Sequence, residues 1–389
     1  MPVSEAWQKR LADARTDRQR LQLWRTRQVL ASGASGSALD FAGNDYLGLA
    51  QDPRVSEAQA EGARRFGAGA GASHLVSGHL EIHDALEDAL ARWTGRERAL
   101  LFSTGYMANL GVLQALADRH TAIFQDRFNH ASLLDGAALS GARSRRFHHR
   151  DTLDLDNLLV RSECAHKLVV SDGVFSMDGD IADIAGLASA CQRHQAWLMI
   201  DDAHGVGVLG NDGSGCVGST WNSTQVPILM GTFGKALGTA GAFVAGDAEL
   251  IDHLIQFSRS YVYTTAQPPA IAAATLKALE IVQREPEHRE RLNANISYFR
   301  HEALRQGLPL SDSATPIQPL ILGDETRTLR WALQLQHQGI QVGAIRPPTV
   351  PSGEARLRIT LSAGHNRGHI DQLLAALTTC QREEAACHA

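Results

Sequence analysis

The chain has 389 residues, 44% of them hydrophobic and 20% charged, with a formal net charge of −5. That length allows a large and a smaller domain, each with its own core, and the acidic balance gives no electrostatic case for a nucleic acid or an anionic membrane as partner. No apolar run approaches the roughly 18–20 residues of a membrane-spanning helix.

In chain order, the opening stretch MPVSEAWQKRLADARTDRQR lacks the apolar centre of a signal peptide. It is arginine-rich, as transit peptides are, but Glu5, Asp13 and Asp17 argue against that, and it reads as an amphipathic helix of the mature protein. VSEAQAEGARRF is a helical pattern, and GAGAGASH, from Gly67, follows it. A dinucleotide fingerprint must follow a strand and open a helix, so a nicotinamide site is not expected here. His79 and His83 stand four apart, as ligands on one helical face would, but the zincin order fails because Leu80 follows His79; no metal is expected.

From there helices and strands alternate. ALEDALARW, MANLGVLQALADRH and IADIAGLASACQRHQ read as helices. RALLFS, TAIFQD, KLVVSDGVFS and WLMIDDA read as strands, which implies βαβ units around a mostly parallel sheet. Near residue 270 a long helical tract begins, broken at Pro286. PIQPLILG, QVGAIRP and ARLRITLSA follow as strands, then a closing helix from about Asn366. The expected division is an N-terminal helical segment, 1–43, packing on the small domain; a large α/β domain, 44–285; and a small α+β domain, 286–389. The five cysteines form no CxxC pair and read as free thiols of a cytoplasmic protein.

The stretch MGTFGKALGTAG sets Lys235 among glycines. A Walker A loop is excluded, because Gly231 and Gly234 are too close together and Ala236 follows the lysine where a hydroxyl is required. A buried lysine lined by glycines can instead lose its proton and attack a carbonyl. Upstream, alternation along WLMIDDAHGVG puts Trp197, Met199 and Asp201 on one face of a strand and Asp202 on the other. A carboxylate there and a nearby lysine suit pyridoxal phosphate, the lysine forming the Schiff base and the aspartate keeping the pyridine nitrogen protonated. ALLFSTGYMANLG supplies a strand and then a helix N-terminus for the phosphate. Aspartates that merely cap the next helix remain the alternative.

DDAHGVG, TFGKALG, SDGVFSMDGD, DRFNHASLLDG and FAGNDYLGL resemble the α-oxoamine synthases over nearly the whole chain. These are class-II pyridoxal-phosphate enzymes of fold type I, the aspartate aminotransferase fold. GASHLVSGH and IRPPTVP (Ile345–Pro351) are most similar to the members that condense L-alanine with a pimeloyl thioester. The resemblance implies that Lys235 holds the cofactor as an aldimine and moves the α-proton, and that Asp201 binds the pyridine nitrogen. It implies that His204 and Ser176 contact the phenolic oxygen and that His130 stacks on the ring. Gly105 and Tyr106 hold the phosphate through backbone amides, and Thr232 adds a hydroxyl. Arg358 and Asn44 take the amino-acid carboxylate, and Thr349 and Arg25 contact the acyl group. It further implies a homodimer with its sites between subunits, where Thr264 and Thr265 reach the partner's phosphate. Many members carry glutamate where Asp172 stands, which leaves the role of Asp172 open. The acyl carrier, coenzyme A or acyl carrier protein, also stays open. On the residues alone His130 could cap a helix, and Arg356 or Arg358 could face solvent. A glycine-using synthase and a nicotinamide oxidoreductase are the rival functions.

Overall fold

The structure is a computed structural model that describes residues 4–21, 23–27 and 39–388. It divides into two compact units, Met1–Ala38 and Leu39–Ala389. In the first, Glu5–Arg20 is helical as its pattern predicts, and none of its residues is buried. Arg25 lies beyond that helix and is exposed.

The second unit is built on a seven-stranded sheet in the order Arg98–Phe102, Ala242–Gly246, Ile228–Thr232, Trp197–Asp201, His166–Asp172, Thr121–Asp126, Arg143–Phe147. The pairings from Ile228–Thr232 across to Arg143–Phe147 are parallel, and Ala242–Gly246 runs antiparallel to both its neighbours. Side-chain alternation divides two cores between the faces of the sheet. Val170, Met199 and Met230 pack with Val112, Leu113 and Leu133 on one face. Val169, Leu198, Ile200 and Leu229 pack with Leu155 and Leu187 on the other. Asp201 follows Met199 in alternation and Asp202 takes the opposite face, so the strand delivers two carboxylates in two directions. Register places Asp172 beside Asp201 at the carboxyl ends of their strands, where open α/β sheets bind ligands.

The helices Pro269–Arg284 and Glu287–Arg305 are interrupted where Pro286 predicts. A three-stranded antiparallel sheet follows, with Ala355–Thr360 between Gly343–Ile345 and Ile317–Gly323. Trp331, Phe299, Leu357 and Leu373 bury together beneath it. Leu39–Asp40 pairs in parallel with Ile340–Gln341, so the start of this unit is tied to its C-terminal elements. No helix among the described residues is long and apolar enough to cross a membrane.

Candidate active site

A cavity of about 350 Å³ opens at the strand ends, lined by Asn44, Gly105, Tyr106, His130, Ser176, Asp201, His204, Thr232 and Lys235 among others. These expected residues come from six separate chain segments, and only the fold brings them together. Its floor is the N-terminus of the helix Gly105–Leu116, where the Thr104 hydroxyl accepts the Met107 N–H at 3.1 Å. The first amides of that helix have no helical acceptor and point their positive end at the cavity. Gly105 is required by close approach, since a Cβ there would lie 2.5 Å from Thr232 Cγ2. The Tyr106 hydroxyl is bonded to Asp135, which leaves its backbone amide as its contribution to the cavity.

Lys235 Nζ donates to Thr232 Oγ1 at 3.5 Å. Burial pushes its pKa down and the charge of Arg358 adds to this, while Asp201 and Asp172 oppose it. Asp201 is buried and fixed at both oxygens: Oδ1 accepts the Ala203 N–H at 3.0 Å and Oδ2 accepts the Asn109 side-chain amide at 2.7 Å. His204 sits well below the usual histidine pKa because of burial and the nearby cations Lys235 and Arg358, so its ring is neutral. Its Nδ1 lies 2.6 Å from the Tyr46 hydroxyl. Burial pushes Tyr46 up to about 12, which keeps that hydroxyl protonated.

His130 does cap the helix Ala131–Ser140, as the bland reading allowed, and it lines the cavity as well. Its Nδ1 accepts the Ser132 N–H at 3.3 Å, and its own N–H donates to Asp172 Oδ2 at 3.0 Å. Asp172 therefore has a definite job, holding the backbone of His130. Its pKa is raised well above the carboxylate range by burial and by Asp201 alongside.

Neither Arg356 nor Arg358 faces solvent. Arg356 is paired with Asp178 and with Glu354, the latter at 3.0 Å. Among the described residues Arg358 finds only neutral acceptors: the Ser176 carbonyl at 2.6 Å, Thr360 Oγ1 at 3.1 Å and Asn44 Oδ1 at 3.2 Å. A buried guanidinium without a carboxylate is poised for an anionic ligand.

Thr349 lines a second cavity, of about 670 Å³, that shares His130 and Ser176 with the first. Thr264 and Thr265 line neither of these cavities. Arg25 belongs to the leading unit. The sequence reading missed Asn109, Ser132 and Tyr46. Asn109 donates to both Ser132 Oγ and Asp201, linking the segment that carries His130 to the buried carboxylate. The signal was available: Asn109 is a polar residue on a helix face otherwise made of Ala108, Val112 and Leu113.

The histidines left aside in the sequence also meet. One ring nitrogen each of His74, His79 and His83 lies within 4.8 Å of the others. His79 precedes the helix that carries His83, which starts at Glu81. His83 Nδ1 accepts the Leu80 N–H and its Nε2–H donates to the Gln267 carbonyl, so both its ring nitrogens serve the backbone.

The donor set fits a pyridoxal phosphate: a helix N-terminus and hydroxyl for phosphate, a fixed buried carboxylate, a lysine with a lowered pKa, and a glycine where a methyl group would close the cradle. Fold and site define a class. Residues 36–377 match the class I and II aminotransferases, and the chain belongs to that family. It is 65% identical over 384 residues to the 8-amino-7-oxononanoate synthase of Chromohalobacter salexigens, covering 98% of this chain and 99% of that protein. It is 52% identical to the 8-amino-7-oxononanoate synthase of Pseudomonas putida, covering 97% and 99%. Among solved structures, serine palmitoyltransferase of S. paucimobilis with a bound PLP–myriocin aldimine superposes with a TM-score of 0.91 at 29% identity, covering 97% of this chain and 99% of that one. The 8-amino-7-oxononanoate synthase of Francisella tularensis gives 0.77 at 31%, covering 90% and 100%.

Proposed function

We propose that this protein is an 8-amino-7-oxononanoate synthase of biotin biosynthesis. It condenses L-alanine with a pimeloyl thioester and releases 8-amino-7-oxononanoate, CO2 and the free thiol. The observation that carries the chemistry is the convergence of Lys235, Asp201 and a helix N-terminus on one cavity. The choice of substrates is supported by the relatives at 52–65% identity that bear this name.

Pyridoxal phosphate, when bound, supplies an electron sink for negative charge at the amino-acid α-carbon. Gly105, Tyr106 and Thr232 hold its phosphate, Asp201 holds its ring nitrogen, and Lys235 joins it covalently. Burial and the neighbouring Asp201 raise the Asp172 pKa well above its ordinary value, so Asp172 favours its protonated form beside the acid that faces that nitrogen. Lys235 Nζ, whose pKa burial lowers, takes the α-proton and later returns one. Arg358 and Asn44 clamp the alanine carboxylate until it leaves as CO2. His130 covers the ring and keeps water from the reacting carbon, and His204 and Ser176 fix the oxygen beside it. Thr349 contacts the acyl chain from the second cavity. Arg25 reads the far carboxylate, for which a guanidinium fork is better suited than an ammonium. The working form is a cytoplasmic homodimer in which Thr264 and Thr265 serve the partner's phosphate.

The test is turnover of L-alanine against glycine with pimeloyl, acetyl and succinyl thioesters. Preference for L-alanine with the pimeloyl donor is expected; preference for glycine with a short donor would transfer the protein to the glycine-using synthases.

A further inference from the structure

The second cavity has a lining of mixed character. It shares His130 and Ser176 with the reacting centre, and Phe128, Phe175 and Val350 give it apolar wall. Arg127 and Arg146, both exposed, line it as well. Arg146 donates to the backbone carbonyl of Arg127, which holds the two residues together. Neither guanidinium has a carboxylate partner among the described residues. Other exposed arginines of this chain do: Arg54 pairs with Glu285, Arg193 with Asp156 and Arg330 with Glu384. The acids nearby are already engaged. Asp178, which also lines the cavity, is bonded to Arg356. Asp154, whose pKa Arg127 helps to lower, accepts from the His148 N–H at 2.9 Å and meets its ring nitrogen at 2.6 Å. Two cations without a carboxylate partner among the described residues therefore line a partly apolar cavity, on a protein whose net charge is −5.

We propose that Arg127 and Arg146 form an anion subsite that holds a phosphate of the acyl donor's pantetheine arm, with the apolar wall carrying the arm toward His130. The proposal rests on the thioester reading of the function. A cavity lined by apolar side chains and by two guanidiniums matches a chain that ends in a phosphate ester, which arginine can grip with two parallel N–H bonds. Coenzyme A and the prosthetic group of acyl carrier protein share that phosphate.

The experiment compares four donors, the S-pimeloyl thioesters of pantetheine, 4′-phosphopantetheine, coenzyme A and acyl carrier protein, on the cofactor-loaded enzyme and on the double variant Arg127→Met, Arg146→Met. Charge-assisted bonds of this kind predict a loss of about ten- to a hundredfold in kcat/KM for the phosphopantetheine thioester. No loss is expected for the pantetheine thioester, nor any change in melting temperature or cofactor absorption. The loss should shrink in high salt, since both arginines are exposed. A penalty shared by phosphopantetheine and both carriers upholds the assignment to the phosphate they have in common, and one confined to coenzyme A moves the contact to the nucleotide's own phosphates and overturns it. An equal penalty on pantetheine, no penalty on any donor, or a penalty confined to acyl carrier protein overturns it. If the wild type turns over none of the four, the function reading fails instead. Calorimetric binding of coenzyme A itself then decides the subsite: tenfold weakening in the double variant supports it, and unchanged affinity refutes it.

Discussion

Lys235 can accept a proton only while its amine is neutral, and burial moves its pKa in that direction, with the charge of Arg358 adding to it. Asp201 and Asp172 act the other way, by favouring whatever positive charge forms there. Borohydride reduction of the cofactor-loaded protein, followed by peptide mapping, should place the phosphopyridoxyl label on Lys235; label on another lysine contradicts the assignment. Asp201→Asn should still bind the cofactor, because the Ala203 and Asn109 contacts favour a polar group there. It should lose at least about a hundredfold in kcat, since a neutral amide cannot stabilise a positively charged ring nitrogen. An Asp201→Asn enzyme with wild-type kcat would remove that residue from the mechanism.

At the scale of elements, the cofactor cradle depends on how closely the helix Gly105–Leu116 approaches the strand Ile228–Thr232. Gly105→Ala puts a methyl group against Thr232, and equilibrium dialysis should show cofactor affinity reduced about tenfold or more, one order of magnitude per 1.4 kcal/mol of displacement. Unchanged affinity would mean the helix can shift without cost. A second element-scale device is His149, stacked on Phe128 and bonded to Asp126 at 3.0 Å and Asp180 at 2.8 Å. Burial works against its charge, but the two carboxylates outweigh this and raise it to about 9. A folded pKa above the unfolded one means that the contribution to stability is complete below about pH 6.5 and is lost as pH rises through about 9. His149→Gln should therefore lower the melting temperature clearly at pH 6 and much less above pH 9.5; a deficit that does not vary with pH would show that the charge is not what holds this corner. Element type was legible in the sequence because the apolar periods are long and regular, and the ends were less so because side chains set them. The helix expected to run to His120 stops at Leu116, since Asp118 captures the His120 N–H and the Thr121 hydroxyl. The helix expected from Ile181 starts at Ile184, because Asp183 accepts the Gly186 N–H and caps it. Lys235, Asp201 and the helix at Gly105 could be read because each sits in a local motif. The links from Asn109 to Ser132 and to Asp201 could not, because their members meet only across separate elements.

At the scale of the whole molecule, the large sheet gathers the cofactor residues, and the small sheet adds Arg358 through its bonds to Ser176 and Asn44. In the proposed function, substrate carboxylate and cofactor are thus read by different parts of the Leu39–Ala389 unit. The central claim is that this cavity joins alanine to a pimeloyl group with loss of the alanine carboxylate. The most direct measurement supplies carboxyl-labelled L-alanine and a pimeloyl thioester to the pyridoxal-phosphate-loaded protein, and follows product mass and released label together. The account predicts 8-amino-7-oxononanoate and labelled CO2 in equal amounts, both abolished in Lys235→Ala. A product that retains the labelled carboxylate, or no product with L-alanine while glycine reacts, would contradict it.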